Sequence, residues 1–121
     1  MFNQEADSAR NLLRMTFSGD VREQELAGRD MEMEKLLAAL RTGFRFLGDM
    51  THLQSMEPAC LTYIRHTMDL LNERGVSKVV RIIPDPHKDI GLNILSVFHY
   101  RRGIPIVTCA SLAEAEAILK D

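Results

Sequence analysis

The feature that most constrains this chain is a regular alternation between strand-like and helix-like segments. Each strand-like segment is followed by a stretch whose apolar residues recur with the 3.6-residue period of a helix. A helix between successive strands favours parallel strand pairs with right-handed crossovers. The sequence therefore predicts an α/β fold in the order β-α-β-α-β-α-β-α, in which a mainly parallel sheet of four or five strands is flanked by helices. The predicted strands are residues 12–17, 44–50, 78–83 and 104–109.

Turn and capping residues set the expected limits of the first two helices. Residues 18–20, Ser-Gly-Asp, predict a turn after the first strand. Asp20 then has the spacing of a helix cap for a helix that runs to about Arg41, with an interruption at Gly28. The second helix is expected to begin near Pro58, because proline suits the first helical position, and Gly75 should end it.

The remaining helices follow the third and fourth strands. A third helix is predicted after Asp85-Pro86, and it should stop at residues 101–103. Ser111 and Glu114 have the spacing of a capping box for the last helix, which runs through Leu119. Residues 2–9 carry a weak signal for an additional strand at one edge of the sheet.

Length and composition bound the function. The 121 residues fit one domain, and 45% apolar with 26% charged residues is ordinary for a globular protein. A net charge of −2 argues against a dedicated nucleic-acid or membrane-surface protein. The chain has no apolar run long enough for a membrane helix. Cys60 and Cys109 have no disulfide or metal spacing, which predicts a cytoplasmic protein with reduced thiols.

Polar residues follow each predicted strand, where the loops of a parallel sheet gather at one edge. Free backbone N–H groups at helix N-termini make such an edge suited to an anion or an acidic partner. The alternative is that these side chains only cap helices and satisfy loop backbone groups. The candidate partner- or ligand-binding residues are Asp49, Thr51, His52, Ser55, Glu57, Asp85, His87 and Ser111.

No pattern in the sequence identifies a catalytic residue. The four histidines have no metal-binding spacing, and no nucleotide-binding or hydrolase motif is present. Cys60 lies near a helix N-terminus, which could lower the pKa of its thiol, but a small buried cysteine is the commoner case. We therefore expect no cofactor, no metal and no enzymatic activity, with a small hydrolase or transferase as a minor alternative.

The third predicted helix is apolar over a wider arc than one sheet face needs. Its core stripe is expected to contain Ile90, Ile94, Val97 and Phe98. Leu92, Leu95 and Tyr100 then lie beside or opposite that stripe. Either this helix is deeply buried in a small domain, or these three residues form an interface with a second copy of the chain or another protein.

Four segments carry a family resemblance: LLRMTFSGDV, FRFLGDMTHLQSMEPA, LLNERGVSKVVRIIP and RRGIPIVTCASLAEAEAIL. With the order and size of the elements, they resemble the STAS domain family, and more narrowly the bacterial anti-sigma-factor-antagonist-like proteins. This resemblance implies a non-enzymatic regulatory domain that binds a protein partner such as a regulatory kinase or an anti-sigma-like protein. The same architecture occurs in lipid-binding domains, so binding of a small lipid or anion at the helix-N-terminal edge is the alternative.

One position departs from the family pattern. The best-known members are switched by phosphorylation of a serine at the start of the second helix, one residue after an aspartate. When the segments are aligned on Asp49, Glu57 takes the place of that aspartate and Pro58 takes the place of the serine. Because proline has no hydroxyl, the resemblance implies that the usual phosphorylation switch does not operate here.

Overall fold

The computed structural model describes residues 1–83 and 103–120. The predicted third helix, with Asp85, His87, Leu92, Leu95 and Tyr100, lies outside the described residues. Within them the elements follow the predicted alternation. In chain order these are β1 (Phe2–Asp7), β2 (Leu12–Val21), α1 (Glu23–Leu26), α2 (Asp30–Ala38), β3 (Arg45–Met56), α3 (Cys60–Arg74), β4 (Lys78–Ile82), β5 (Ile106–Cys109) and α4 (Leu112–Leu119).

The strands form one five-stranded sheet in the order β1-β2-β3-β4-β5. β1 runs antiparallel to β2, and the other three pairs are parallel. The predicted mainly parallel sheet is therefore confirmed, and residues 2–7 form the additional edge strand. No helix among residues 1–83 and 103–120 combines the length and apolar character that a membrane crossing requires.

The predicted end of β2 is wrong. The strand continues through Ser18, Gly19 and Asp20 to Val21, so these residues do not form a turn. Its pairing with β3 shifts register between Thr16 and Ser18 and again between Gly19 and Asp20. Gly19 takes a φ of 65° at this irregularity. The turn-like residues therefore form a bulge within the strand, since glycine accepts a positive φ without steric cost.

β3 is also longer than predicted, because it pairs with the extended part of β2. Gly19 is in register with Leu53, and Val21 with Met56. Leu53 and Met56 are buried, whereas Gln54 is exposed. Thr51, His52 and Ser55 consequently lie in a strand rather than in the loop that the sequence predicted.

The helices differ from the predictions mainly at their N-termini. The region predicted as one interrupted helix, residues 20–41, contains two helices, α1 and α2. Gly28, with a φ of 76°, lies between them, so the predicted interruption is confirmed. Asp20 does not cap α1; instead the Arg22 backbone N–H donates to Glu25 Oε2 at 2.9 Å. α3 begins at Cys60 after a turn at Pro58, and Gly75 ends it in the left-handed conformation, as predicted.

Apolar side chains pack on both faces of the sheet. α1, α2 and α3 contribute to one cluster, which includes Leu13, Met15 and Phe17 of β2. α4 covers the other face, where Ala115 and Leu119 pack with a second cluster. The strand residues Leu13, Met15, Phe17, Val80 and Ile82 are all buried. Of the α3 residues that face the sheet, Ile64, Met68 and Leu71 are buried and Leu61 is partly buried.

Candidate functional site

Polar side chains gather where β2 and β3 end beside the first turns of α1 and α3. Ser55 Oγ donates to Asp20 Oδ1 at 2.6 Å, which ties the two strand ends together. Glu57 Oε1 accepts the Glu23 backbone N–H at 2.8 Å, so a carboxylate from the β3–α3 connection caps α1. Tyr63 Oη donates to Glu23 Oε1 at 3.1 Å. We call these five residues the β2–β3 edge.

Three of the predicted site residues lie on or next to this edge. Ser55 and Glu57 belong to it, and the exposed His52 lies on the same strand end. The side chains of Ser55 and Glu57 bind within the chain, but both residues are exposed to solvent. The edge is therefore an accessible surface whose polar groups are held in place by hydrogen bonds.

Asp49 and Thr51 form a separate cluster further back along β3. Asp49 is 6% exposed, and its Oδ2 accepts from Arg14 Nη2 at 2.9 Å. Its Oδ1 accepts from both the backbone N–H of Thr51, at 3.0 Å, and the Thr51 Oγ1 hydroxyl, at 2.5 Å. Both carboxylate oxygens are thus engaged by the chain itself, which gives Asp49 a structural role.

The environment of Asp49 stabilises its charged form. Burial alone would raise the pKa of this carboxyl, but the hydrogen bonds from Thr51 and the nearby Arg14 guanidinium outweigh burial and lower the pKa below its usual range. A carboxylate held ionised in this way is a poor proton acceptor at neutral pH.

Ser111 has the capping role that was the alternative to a binding role. Its Oγ accepts the Glu114 backbone N–H at 3.2 Å at the start of α4. Glu114 Oε2 in turn accepts the Ala110 backbone N–H at 3.5 Å, one position earlier than a capping box requires. The predicted helix start is confirmed.

The Cys60 thiol lacks the environment of a nucleophile. Its side chain is 0% exposed, and Sγ contacts the Val21 carbonyl oxygen at 3.8 Å. Burial raises the pKa of this thiol, and the Glu57 carboxylate raises it further. Cys60 is thus the small buried cysteine that was the commoner case, and desolvation and nearby carboxylates outweigh any lowering of this pKa by the helix N-terminus.

Two residues that sequence reasoning missed hold these clusters together. Arg14 alternates with the apolar residues of β2, as a solvent-facing polar residue would, yet it is the partner of Asp49. Tyr63 is partly buried against the core and links α3 to Glu23 through its hydroxyl. Neither pairing has a local sequence signal, because each joins residues more than 30 positions apart. Among residues 1–83 and 103–120, no group of three or more histidine, cysteine, aspartate or glutamate residues could hold a metal ion.

Solved structures with the same architecture cover nearly the whole chain. The anti-sigma factor antagonist SpoIIAA in its unphosphorylated form is 15% identical, with a TM-score of 0.66 over 99% of this chain and 98% of that one. This chain has a SpoIIAA-like STAS fold. No protein-family model matches the chain, and no curated protein matches it by sequence.

Two further structures share this SpoIIAA-like fold. A DUF3478-family protein from Shewanella loihica PV-4 is 14% identical, with a TM-score of 0.69 over 98% of this chain and 92% of that one. An anti-sigma factor antagonist from Mycobacterium paratuberculosis is 14% identical, with a TM-score of 0.60 over 100% of this chain and 94% of that one. At these identities the likeness establishes the fold, and function must be argued from the site.

Proposed function

We propose that this protein is a non-enzymatic regulatory domain that binds a partner protein through the β2–β3 edge and the neighbouring exposed residues of segment 51–60. The observation that carries the proposal is the full-length structural likeness to two anti-sigma factor antagonists. In this chain the end of β3 and the residues before α3 are exposed, and hydrogen bonds within the chain hold their polar side chains in place. A preformed docking surface has both properties.

The charge of this surface indicates the chemistry of the partner. Asp20, Glu23 and Glu57 are exposed carboxylates on the β2–β3 edge, and Glu25 lies in the same first turn of α1. His52, Gln54 and Pro58 add exposed polar and apolar area beside them. An acidic surface of this kind favours a partner with basic residues at its contact, because complementary potentials steer association.

The contacts of the site favour binding over catalysis. Glu57 acts as a helix cap and Asp49 is held ionised by Arg14 and Thr51. The Cys60 thiol is buried with a raised pKa. A general base needs access to substrate and a pKa near the working pH, whereas Asp49 is buried and its pKa is lowered.

Pro58 implies that binding is not regulated by phosphorylation at the start of the second helix, where the family resemblance places a serine. Pro58 lies in the turn before α3 and supplies the carbonyl that accepts the Leu61 backbone N–H at 3.1 Å. It has no hydroxyl to receive a phosphate. Binding would then be controlled by partner concentration or by another site on either protein.

The alternative, a lipid or anion bound at the helix-N-terminal edge, is less favoured by the contacts. Glu57 already occupies the N-terminus of α1, and Ser111 caps α4. An apolar cavity between the sheet and α3, which Phe46, Gly48 and Ile64 help to line, offers only about 30 Å³. That is roughly the space of one water, whereas ligand pockets usually exceed about 300 Å³.

Self-association through Leu92, Leu95 and Tyr100 stays a prediction, since these residues lie outside the described ranges. Sedimentation at micromolar concentration tests it, because a monomer has a mass of 13.7 kDa. A dimer that the substitution Leu92→Glu dissociates would place the interface on this segment, whereas a wild-type monomer would exclude a stable homodimer.

The proposed partner contact is tested by native mass spectrometry of the protein from its own cells. Gln54→Arg places a cation on the exposed β3 end, and we expect it to eliminate a stable complex with a basic partner. Glu73→Gln makes the same one-unit change in charge on the exposed side of α3 and serves as the matched control. A complex that survives Gln54→Arg, or that both substitutions weaken equally, would remove this surface from consideration.

A further inference from the structure

A cleft of about 380 Å³ lies on the face of the sheet that α4 covers only in part. One wall is the β1–β2 hairpin, with Glu5 and Asp7, and the other wall is Glu116 of α4. Leu12 and Leu47 also line it, but they are 4% and 0% exposed and present almost no surface to a ligand. The cleft is distinct from the β2–β3 edge, which is built from the opposite ends of the same strands. Its volume falls in the range of small-molecule sites, roughly 300–1,000 Å³.

Arg14 is the cationic end of this cleft, and its hydrogen-bonding capacity is largely unused. Nη2 donates to Asp49 Oδ2, while Nε is buried with no partner. Within residues 1–83 and 103–120 the Arg14 guanidinium makes no other hydrogen bond or ion pair. A guanidinium has several N–H donors arranged to bind a carboxylate. The Nη donors that Asp49 leaves unused therefore suit an anionic group placed in the cleft, whereas the buried Nε is out of reach of a ligand.

Two carboxylates, opposite in charge to Arg14, lie beside it on β1. Glu5 is the direct cross-strand neighbour of Arg14, and Asp7 is two residues further along the same face. The Glu5 carboxylate makes no ion pair among the described residues, and Asp7 uses only Oδ1, which accepts the Arg10 backbone N–H at 3.2 Å. The hairpin wall thus offers acceptors for a cationic group.

The far end of the cleft is closed by an ion pair between the two walls. Arg10 Nη2 and Glu116 Oε2 are 2.8 Å apart, so these charges largely satisfy each other. What remains is an anion-binding group and nearby cation-binding groups. We propose that the cleft binds a small zwitterion of the amino-acid class, with its carboxylate on Arg14 and its ammonium between Glu5 and Asp7.

Leucine and two analogues, each lacking one charged group, test this assignment. Calorimetry or ligand-observed NMR compares leucine with 4-methylpentanoate, which lacks the ammonium, and with isopentylamine, which lacks the carboxylate. Because both charges are bound, we expect each analogue to bind at least about tenfold more weakly than leucine. No interaction with leucine at about 10 mM would overturn the proposal. Isopentylamine that binds as tightly as leucine would show that the cleft is only a cation site.

Substitutions assign the two ends of the ligand. Glu5→Gln should remove the advantage of leucine over 4-methylpentanoate while leaving its advantage over isopentylamine. Arg14→Gln alone would leave Asp49 buried and unpaired, so the double variant Arg14→Gln/Asp49→Asn is used, and it should remove the advantage over isopentylamine. Glu73→Gln, on α3, is the control and should change neither ratio. Unchanged ratios in folded Glu5 and Arg14 variants would contradict the proposed orientation.

Discussion

Arg14 Nη2 and Asp49 Oδ2 lie 2.9 Å apart and join β2 to β3 on the face of the sheet that carries α4. Asp49 is almost fully buried, whereas the Arg14 side chain is 30% exposed. The pair is therefore a partly solvated contact in which the carboxylate is the more desolvated group. Removal of the charge at Asp49 should cost more stability than removal of a charge on the open surface.

The first prediction concerns the substitution Asp49→Asn. An asparagine keeps an oxygen that can accept the two Thr51 hydrogen bonds, but it loses the charge-assisted bond to Arg14. We expect a loss of about 1–3 kcal/mol in the free energy of unfolding at pH 7, measured by urea titration. Glu73→Gln, an exposed change on α3, should stay within about 0.5 kcal/mol. If both substitutions change the free energy of unfolding equally, the Arg14–Asp49 pair does not stabilise the fold more than an exposed charge does.

The second prediction concerns the acid limit of stability. The pKa of Asp49 is lower in the folded protein than its usual value. The unfolded chain therefore binds the proton more readily, and the stabilisation is fully present above about pH 4 and is lost as the pH falls through the folded-state pKa. The stability difference between wild type and Asp49→Asn should shrink across that window. A difference that stays constant from pH 7 to strongly acidic solution would contradict the assigned pKa shift.

The alternation of the sequence was sufficient to predict the sheet, but not the ends of its two longest strands. Ser18-Gly19-Asp20 has the composition of a turn. Local propensity does not include the pairing with a distant strand, and it is this pairing that makes the same residues a bulge. Leu53 and Met56 are buried because they pair with that extended part of β2. The pairing of β2 with β3 therefore determined where both strands end, against the turn propensity of the local sequence.

The sequence predicted only part of the candidate site, because the other part depends on contacts between residues far apart in the chain. Ser55 and Glu57 lie on the expected edge, but Asp49 and Thr51 turn inward to Arg14. A sequence shows that Asp49 follows a strand, but not that an arginine 35 positions earlier lies beside it. Arg14, Asp20 and Tyr63 could be recognised only once the register of β2 with β3 and the packing of α3 were known.

The third prediction tests the end of α3. Gly75 has a φ of 88°, and a Cβ at this position would lie 2.6 Å from Thr42 Cγ2. Gly75→Ala should therefore destabilise the protein through backbone strain of about 1–2 kcal/mol together with a steric clash. Thr42→Ser removes the clashing methyl group, so the double variant should recover part of the loss. Denaturant titration of all four proteins measures the coupling, and additive effects would show that Thr42 is not the obstacle.

The fourth prediction concerns phosphorylation. The family resemblance aligns Pro58 with the phosphoacceptor serine, and on that alignment incubation with a family-type kinase should leave the wild-type chain unmodified. Pro58→Ser restores a hydroxyl at that position and is the positive comparison. Of the nearby hydroxyls, Thr51 Oγ1 is bound to Asp49 and Ser55 Oγ to Asp20. Stoichiometric phosphate on Thr51 or Ser55 in protein from cells would contradict the prediction and restore a switch at this surface.

The last prediction tests the packing of α3 on the sheet. Ile64 is 6% exposed and belongs to the apolar cluster between α3 and β2, with Met68 one turn further along the helix. Ile64→Ala removes three carbon atoms from this cluster and leaves a cavity, because the neighbouring β-strands are fixed by their hydrogen bonds. We expect a loss of about 2–5 kcal/mol in the free energy of unfolding by urea titration, with the slope of the transition unchanged. Arg65→Ala, the exposed neighbour on the same helix, should change stability by less than about 0.5 kcal/mol. A loss below about 0.5 kcal/mol for Ile64→Ala as well would mean that α3 does not pack on the sheet through this side chain.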